Sequence, residues 1–337
     1  VSVSVLRRAA AAVVAGGVTA VVRGVLDMSP PGGAARWTRT NHRGEPVSML
    51  EGPAVAAGLL AGGLVGAPTA RAALALTVAT GAGAAFGVVD DLTEDTEVRR
   101  KGLRGHLGAL SRGELTTGGL KVLGIGAASL VAAAVATPVR DASGTRRSVA
   151  GWAADVAVSG ALVAASANLV NLLDLRPGRA LKAASVVAAP LALAGGAGAG
   201  AAAGVLGSAG AAGEQDLAEH DMLGDGGANA LGATLGTALV LAAPRPVRWA
   251  ALGVVTALTL ASEKVSFTQV IERTPVLREI DGWGRRPAVH APGAVAPDEV
   301  PDAEPVADPR VAPTAMSSDV GRDGTGEGTL PSTTGPA

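Results

Sequence analysis

Residues 71–91 read RAALALTVATGAGAAFGVVDD. The eighteen residues from Ala72 to Val89 carry no charge, and two adjacent aspartates, Asp90 and Asp91, end the run. A helix of about 20 apolar residues crosses about 30 Å of hydrocarbon, so 71–89 has the length and character of a membrane span. Working outward, eight more runs of the same kind fall near 5–26, 53–69, 116–137, 149–170, 182–196, 197–213, 227–243 and 247–262. The boundary inside 182–213 lies in one continuous Gly/Ala run. The expected fold class is therefore all-α: a polytopic transmembrane helix bundle of about nine spans. The first run, with Arg7 and Arg8 before it, imitates a signal peptide, but no small-residue cleavage site follows and it reads as a first span.

Composition agrees. Of 337 residues, 48% are hydrophobic and 17% charged, and mean hydropathy is +0.36. Aromatics make up only 2%, so a water-soluble core would lack its large fillers, whereas 48 glycines suit helices packed closely in lipid. The absence of cysteine excludes disulfides and Cys-ligated metals. A net charge of −1 without a basic stripe excludes a nucleic-acid partner.

Basic residues set an orientation. Arg36, Arg39 and Arg43 lie in 27–52, and Arg99, Arg100, Lys101, Arg104 and Arg112 in 90–115. Arg176 and Arg179 lie in 171–181, and Lys264, Arg273, Arg278, Arg285 and Arg286 in 263–287. Nine alternating spans put all four loops on one side, expected to be cytoplasmic. Arg140, Arg146 and Arg147 in 138–148 run against the bias. Segment 263–283 mixes apolar and charged residues at helical spacing, as an amphipathic surface helix broken near Pro275 or as a helix packed on the loops. Nine prolines fall within 287–337, so the chain divides into a membrane domain, 1–287, and a disordered cytoplasmic tail, 288–337.

Polar residues at span ends carry the chemistry, because ionised groups are costly in a bilayer. Asp90 and Asp91 repel one another unless a cation or a proton intervenes, although an aspartate pair also suits a solvated span end. Asn168, Asn171 and Asp174, in SANLVNLLDLRPGRALK, recur every three residues on one helical face, as a site or as interhelical glue. Gly224-Asp225-Gly226-Gly227 opens a span whose N-terminal N–H groups suit an anion, with Asp225 beside them as a metal ligand or simply as a cap. Glu214, Asp216, Glu219 and Asp221 read as a solvated loop. Acids to hold Mg²⁺ beside Lys101, Arg104, Arg176, Arg179 and Lys182 to hold phosphate oxygens are the parts of a phosphoryl-transfer site.

In this order, Asp90-Asp91 before a KGL stretch, then NLVNLLD, then GDGGANALGATLG, the chain resembles the polyprenyl-phosphate N-acetylhexosamine-1-phosphate transferases, the family that includes the phospho-N-acetylmuramoyl-pentapeptide transferase. NHRGEPVSMLEGP at 41–53 resembles the family's first cytoplasmic loop, and the likeness covers residues 1–262. It implies that a polyprenyl phosphate attacks the sugar-linked phosphate of a UDP-N-acetylhexosamine with Mg²⁺, releasing UMP at the cytoplasmic face of the cell (inner) membrane in envelope glycan synthesis. It makes Asp225 and Asp91 metal ligands and gives Asp90, Asp91 and Asp174 catalytic roles. It places Asn168, Asn171, Lys101, Arg176 and Arg179 against substrate. Gly/Ala-rich faces permit a homodimer. Pro177 and Met222 stand where the family has an acid and a stacking aromatic, and its late histidine motif is absent, which points to a divergent paralogue or to a non-catalytic lipid-binding or scaffolding one.

Overall fold

In a computed structural model of the chain, the structure describes residues 2–93, 117–140 and 144–287. Lys101, Arg104 and the 288–337 tail lie outside them. The described chain is mostly helical. Nine longer helices follow in order: α1 (Val5–Met28), α2 (Glu51–Gly66), α3 (Ala70–Thr93), α4 (Thr117–Ala136), α5 (Val149–Leu173), α6 (Arg179–Ala194), α7 (Ala199–Leu217), α8 (Gly224–Ala242) and α9 (Arg245–Ser262). Two short helices close the described chain, α10 (Phe267–Arg273) and α11 (Pro275–Gly282). A small hairpin, β1 (Thr38–Thr40) and β2 (Pro46–Ser48), pairs antiparallel between α1 and α2.

Local chemistry sets the helix ends. Ser4 and Ser148 accept the N–H of Arg7 and Gly151 and so cap α1 and α5. Pro275 starts α11 and separates it from α10, since its ring cannot continue a helix.

The bundle is organised about α8, fifteen of whose nineteen residues are buried. Its small residues allow this. Gly83 and Gly87 of α3 lie against the α8 backbone, where a Cβ on Gly83 would come within 2.8 Å of the Asn229 carbonyl oxygen. Gly236 meets Val163 and Ser166 of α5 in the same way. The interior is small and polar as well as apolar: Thr80 and Thr234 share a hydrogen bond of 2.7 Å, and Thr19 donates to Ser208 at 3.1 Å. Leu59, Leu162, Leu223 and Leu231 are fully buried, but many other large apolar side chains point outward, among them Leu6, Val13, Leu123, Leu130, Trp249 and Leu260. Exposed apolar surface around an interior of small and hydroxyl side chains is the pattern of a protein solvated by lipid.

Four helices, α1, α3, α5 and Gly118–Ala136 of α4, are long and apolar enough to cross a membrane. α9 and α10 form a fifth if the pair, bent by 96°, counts as one span. Of the nine spans expected, four or five among the described residues meet the length and apolarity a crossing requires. α2 and α6 have only 16 residues each, and α8 opens with the polar Gly-Asp-Gly-Gly turn. The helices are compatible with a membrane protein.

The described parts of the expected cytoplasmic loops gather at one end of the bundle. Ser48 in β2 exchanges backbone hydrogen bonds with His220 and Met222. Arg39 donates to the Asp91 carbonyl at 2.6 Å, and Arg285 to the Pro177 carbonyl at 2.8 Å. Of the arginines that ran against the orientation bias, Arg147 has a local cause: together with Arg245 it pairs with the buried Asp155.

Candidate functional site

The first turn of α8 is the centre of the clustered end. Gly224 has φ +58°, a left-handed conformation that glycine adopts freely, and a Cβ there would come within 3.0 Å of the Asp91 carboxylate. The turn presents its N–H groups to the chain's own acids. Asp225 N–H donates to Asp91 Oδ1 and Gly226 N–H to Asp91 Oδ2, each at 2.9 Å. The Gly224 N–H favours the charged form of the nearby Asp174 carboxyl. The anion site expected at this helix start is therefore filled by carboxylates from α3 and from the end of α5, which suits the positive end of the helix dipole.

Lys121 of α4 completes the cluster. Its Nζ lies 2.5 Å from Asp90 Oδ2 and 2.5 Å from Asp225 Oδ2, a single ammonium between two carboxylates. Sequence reasoning passed over it, yet the signal was present: Lys121 is the one charged residue inside the 116–137 run.

Two cavities flank this cluster. The larger, about 450 Å³, lies between α4, α5 and α9, with Lys121, Asn168, Asn171 and Asn229 at its polar part and Val122, Ile125, Leu172 and Leu260 along its apolar walls. Asn229 donates to the Asp225 carbonyl at 2.7 Å. The side-chain amides of Asn168 and Asn171 make no hydrogen bond to another described residue. Unpaired amides at the end of an apolar helix are groups that call for a ligand or water.

The smaller cavity, about 190 Å³, is lined by Asn41, His42, Asp174, Arg176, Pro177, Asp216 and Met222, among others. The expected single face of Asn168, Asn171 and Asp174 is thus divided: α5 ends at Leu173, and Asp174, past the helix end, enters the second cavity. Burial and the negative charges of Asp216, Asp225 and Asp91 push the Asp174 carboxyl well above the usual range, against the Gly224 N–H. Burial likewise raises Asp216 to about 6, opposed by the Gly178 N–H and assisted by Asp221.

Of the four loop acids expected to be solvated, Glu214 is exposed, whereas Asp216, Glu219 and Asp221 are all buried. Partners make this tolerable. Arg23 holds Asp221 with two bonds of 2.7 and 2.6 Å, Arg43 and Asn41 hold Glu219, and Gly178 N–H reaches Asp216 at 3.2 Å. Glu51 is the exception: it is buried, lines a third cavity of about 200 Å³, and neither carboxylate oxygen has a hydrogen-bond partner among the described residues.

Of the basic residues expected against phosphate, the three in the described chain, Arg176, Arg179 and Lys182, also contact the helices that follow the bundle. Arg179, 5% exposed, grips Asp281 of α11 at 2.8 and 3.1 Å and also reaches Thr268 of α10. Lys182 donates to the Asp281 carbonyl, and Arg176 lies 3.8 Å from Glu272. These residues dock α10 and α11, while Val276, Leu277, Ile280 and Trp283 face outward.

Asp225 and Asp91 do not form a cradle for Mg²⁺ in this arrangement. No group of three or more His, Asp or Glu among the described residues is placed to hold a metal ion. Both Asp91 oxygens accept backbone N–H groups, and a lysine ammonium stands between Asp90 and Asp225. No family model matches the chain, and no curated protein matches it.

Proposed function

We propose that the chain is a membrane transferase that moves an N-acetylhexosamine-1-phosphate from a UDP-sugar to a polyprenyl phosphate. The observation that carries this reading is the larger cavity, whose polar part holds Lys121, Asn168 and Asn171 and adjoins the Asp90–Asp225 pair. A lipid phosphate needs such a site: apolar walls for the isoprenoid and cationic and amide donors for the phosphate oxygens. The smaller cavity suits the nucleotide sugar. Asp174 and Asp216 accept from ribose hydroxyls or the uracil N–H, and Asn171 and Asp174, three residues apart, bring the two cavities together.

In the reaction, an oxygen of the lipid phosphate attacks the sugar-linked phosphorus. The bond from that phosphorus to the bridging oxygen breaks, and UMP leaves with the oxygen. Lys121 and the two asparagines hold the attacking phosphate and offset its charge, the main task where one anion attacks another. Asp90 and Asp225 fix the lysine, and Asp91 fixes the first turn of α8. The resemblance of the ordered motifs to the hexosamine-1-phosphate transferases supplies the substrate class, and the clustered basic loops support a cytoplasmic active face.

The same ion pair favours a second reading, a paralogue that binds the lipid phosphate without transfer, since Lys121 already supplies a cation to the acids. UMP release by purified protein given polyprenyl phosphate and a panel of UDP-N-acetylhexosamines separates the two. Transfer requires release from the wild type and a fall of about a hundredfold, roughly 2.7 kcal/mol, in Asp225→Asn. Lipid binding without release from any sugar tested would leave the non-catalytic reading.

A further inference from the structure

Phosphoryl transfer between two anions calls for a cation, and a divalent metal held by carboxylates is the usual supplier. The acid cluster of this chain has a different cation built in. Lys121 projects from α4 and meets Asp90 from α3 and Asp225 from α8, each at 2.5 Å. Three separate helices thus converge on one ammonium. The lysine is largely buried, with 16% of its side chain exposed, and the two carboxylates are 12% and 27% exposed. Buried charges of this kind persist when each has its partner. Asp91, the third acid, spends both oxygens on the first turn of α8. A divalent ion between Asp90 and Asp225 would have to displace the ammonium and would be repelled by it at any nearby position.

We propose that Lys121 is the resident counter-cation of Asp90 and Asp225, taking the place of a divalent metal. An ammonium has three N–H donors. Two go to the carboxylates, and the third is left for an oxygen of a phosphate monoester in the cavity that Lys121 lines. The phosphate class rests on the transfer reading; the exclusion of metal rests on the ion pair alone, and the two can fail separately.

The test uses Mn²⁺ alone as the probe, followed by electron paramagnetic resonance with the purified full-length chain in detergent. The wild type should leave equimolar Mn²⁺ free. Lys121→Ala and Lys121→Met, which remove the ammonium from between the carboxylates, should bind it at least about tenfold more tightly, while Lys121→Arg should not. Thermal melting identifies which variants are folded. Wild-type binding of Mn²⁺ that disappears in Asp225→Asn would overturn the proposal whatever the lysine variants do. So would a folded Lys121→Ala and a folded Lys121→Met that both bind none. If no lysine variant folds, the wild type decides alone: free Mn²⁺ supports the proposal and Asp225-dependent binding defeats it. UMP release with chelator present reports separately on the transfer reading.

Discussion

A carboxyl group buried among other acids is neutralised by a proton, a cation or a set of N–H donors, and the clustered end of this bundle uses all three. Asp90 and Asp225 have Lys121, Asp91 has the first turn of α8, and Asp216, raised to about 6 by burial, takes up a proton as pH falls toward that value. The Asp216 shift has a definite sign. With a folded-state value above the usual 3.8, the folded chain binds more protons than the unfolded one between those pH values, so stability falls as pH rises through that window. Asp216→Asn keeps an oxygen for the Gly178 N–H and removes the charge. It should stabilise the protein by about 2–3 kcal/mol at pH 7.5 and leave it nearly unchanged at pH 3.5, read as melting temperature in detergent. Glu51, buried with neither oxygen partnered, should behave alike: Glu51→Gln should raise the melting temperature at pH 7.5. A drop in either variant would mean that the carboxylate carries a bond or a ligand. Asp90, Asp91, Asp174 and Asp225 were legible in the sequence because acids at the ends of apolar runs are conspicuous. Their partner Lys121 stood out only as the one charge near the start of an apolar run, and its pairing across α3, α4 and α8 is set by packing that no local spacing encodes.

The element that organises the site is α8, a helix buried on nearly every side because its neighbours offer glycine. Gly87 of α3 lies against the Asp225 backbone, so an added methyl meets the carbonyl of that residue. Gly87→Ala should push the start of α8 off α3, cost about 1–3 kcal/mol and weaken lipid-phosphate binding. Gly81→Ala, on the same helix with nothing within 4 Å of its Cβ position, should be neutral or stabilise by up to about 1 kcal/mol. Equal effects of the two on melting temperature would refute close packing at Gly87. The glycines were visible in the sequence as a general permission for close approach. Which of them touches which helix was not, because a Gly/Ala face looks alike from every direction until its neighbours are placed.

Across the whole molecule, the helices that follow the bundle are fastened back onto it. Asp281 of α11 binds Arg179 and Arg285, and Arg179 is almost wholly buried. Asp281→Asn leaves that guanidinium without its charge partner and should cost about 3 kcal/mol, exposing the Glu263–Ser266 connection to limited proteolysis. Burial raises the Asp281 carboxyl, but the Arg179 hydrogen bonds and the nearby positive charges outweigh it and hold it below the ordinary 3.8. Its contribution is therefore present above pH 3.8 and is lost as pH falls through the lower folded value, so acid should release α10 and α11 before it melts the bundle. The sequence rendered the order of helices and the clustering of basic loops well. Four or five of the nine expected spans meet the length and apolarity of a crossing among the described residues, and hydropathy responds equally to a helix facing lipid and to one such as α8 that faces other helices. The central claim, that this end of the bundle joins a sugar phosphate to a lipid phosphate, is tested most directly by mass spectrometry of the lipid after incubation with UDP-N-acetylhexosamine. The expected result is a polyprenyl pyrophosphoryl sugar made by the wild type and lost in Asp225→Asn. Unmodified lipid with every sugar offered, from folded protein that binds the lipid, would contradict it.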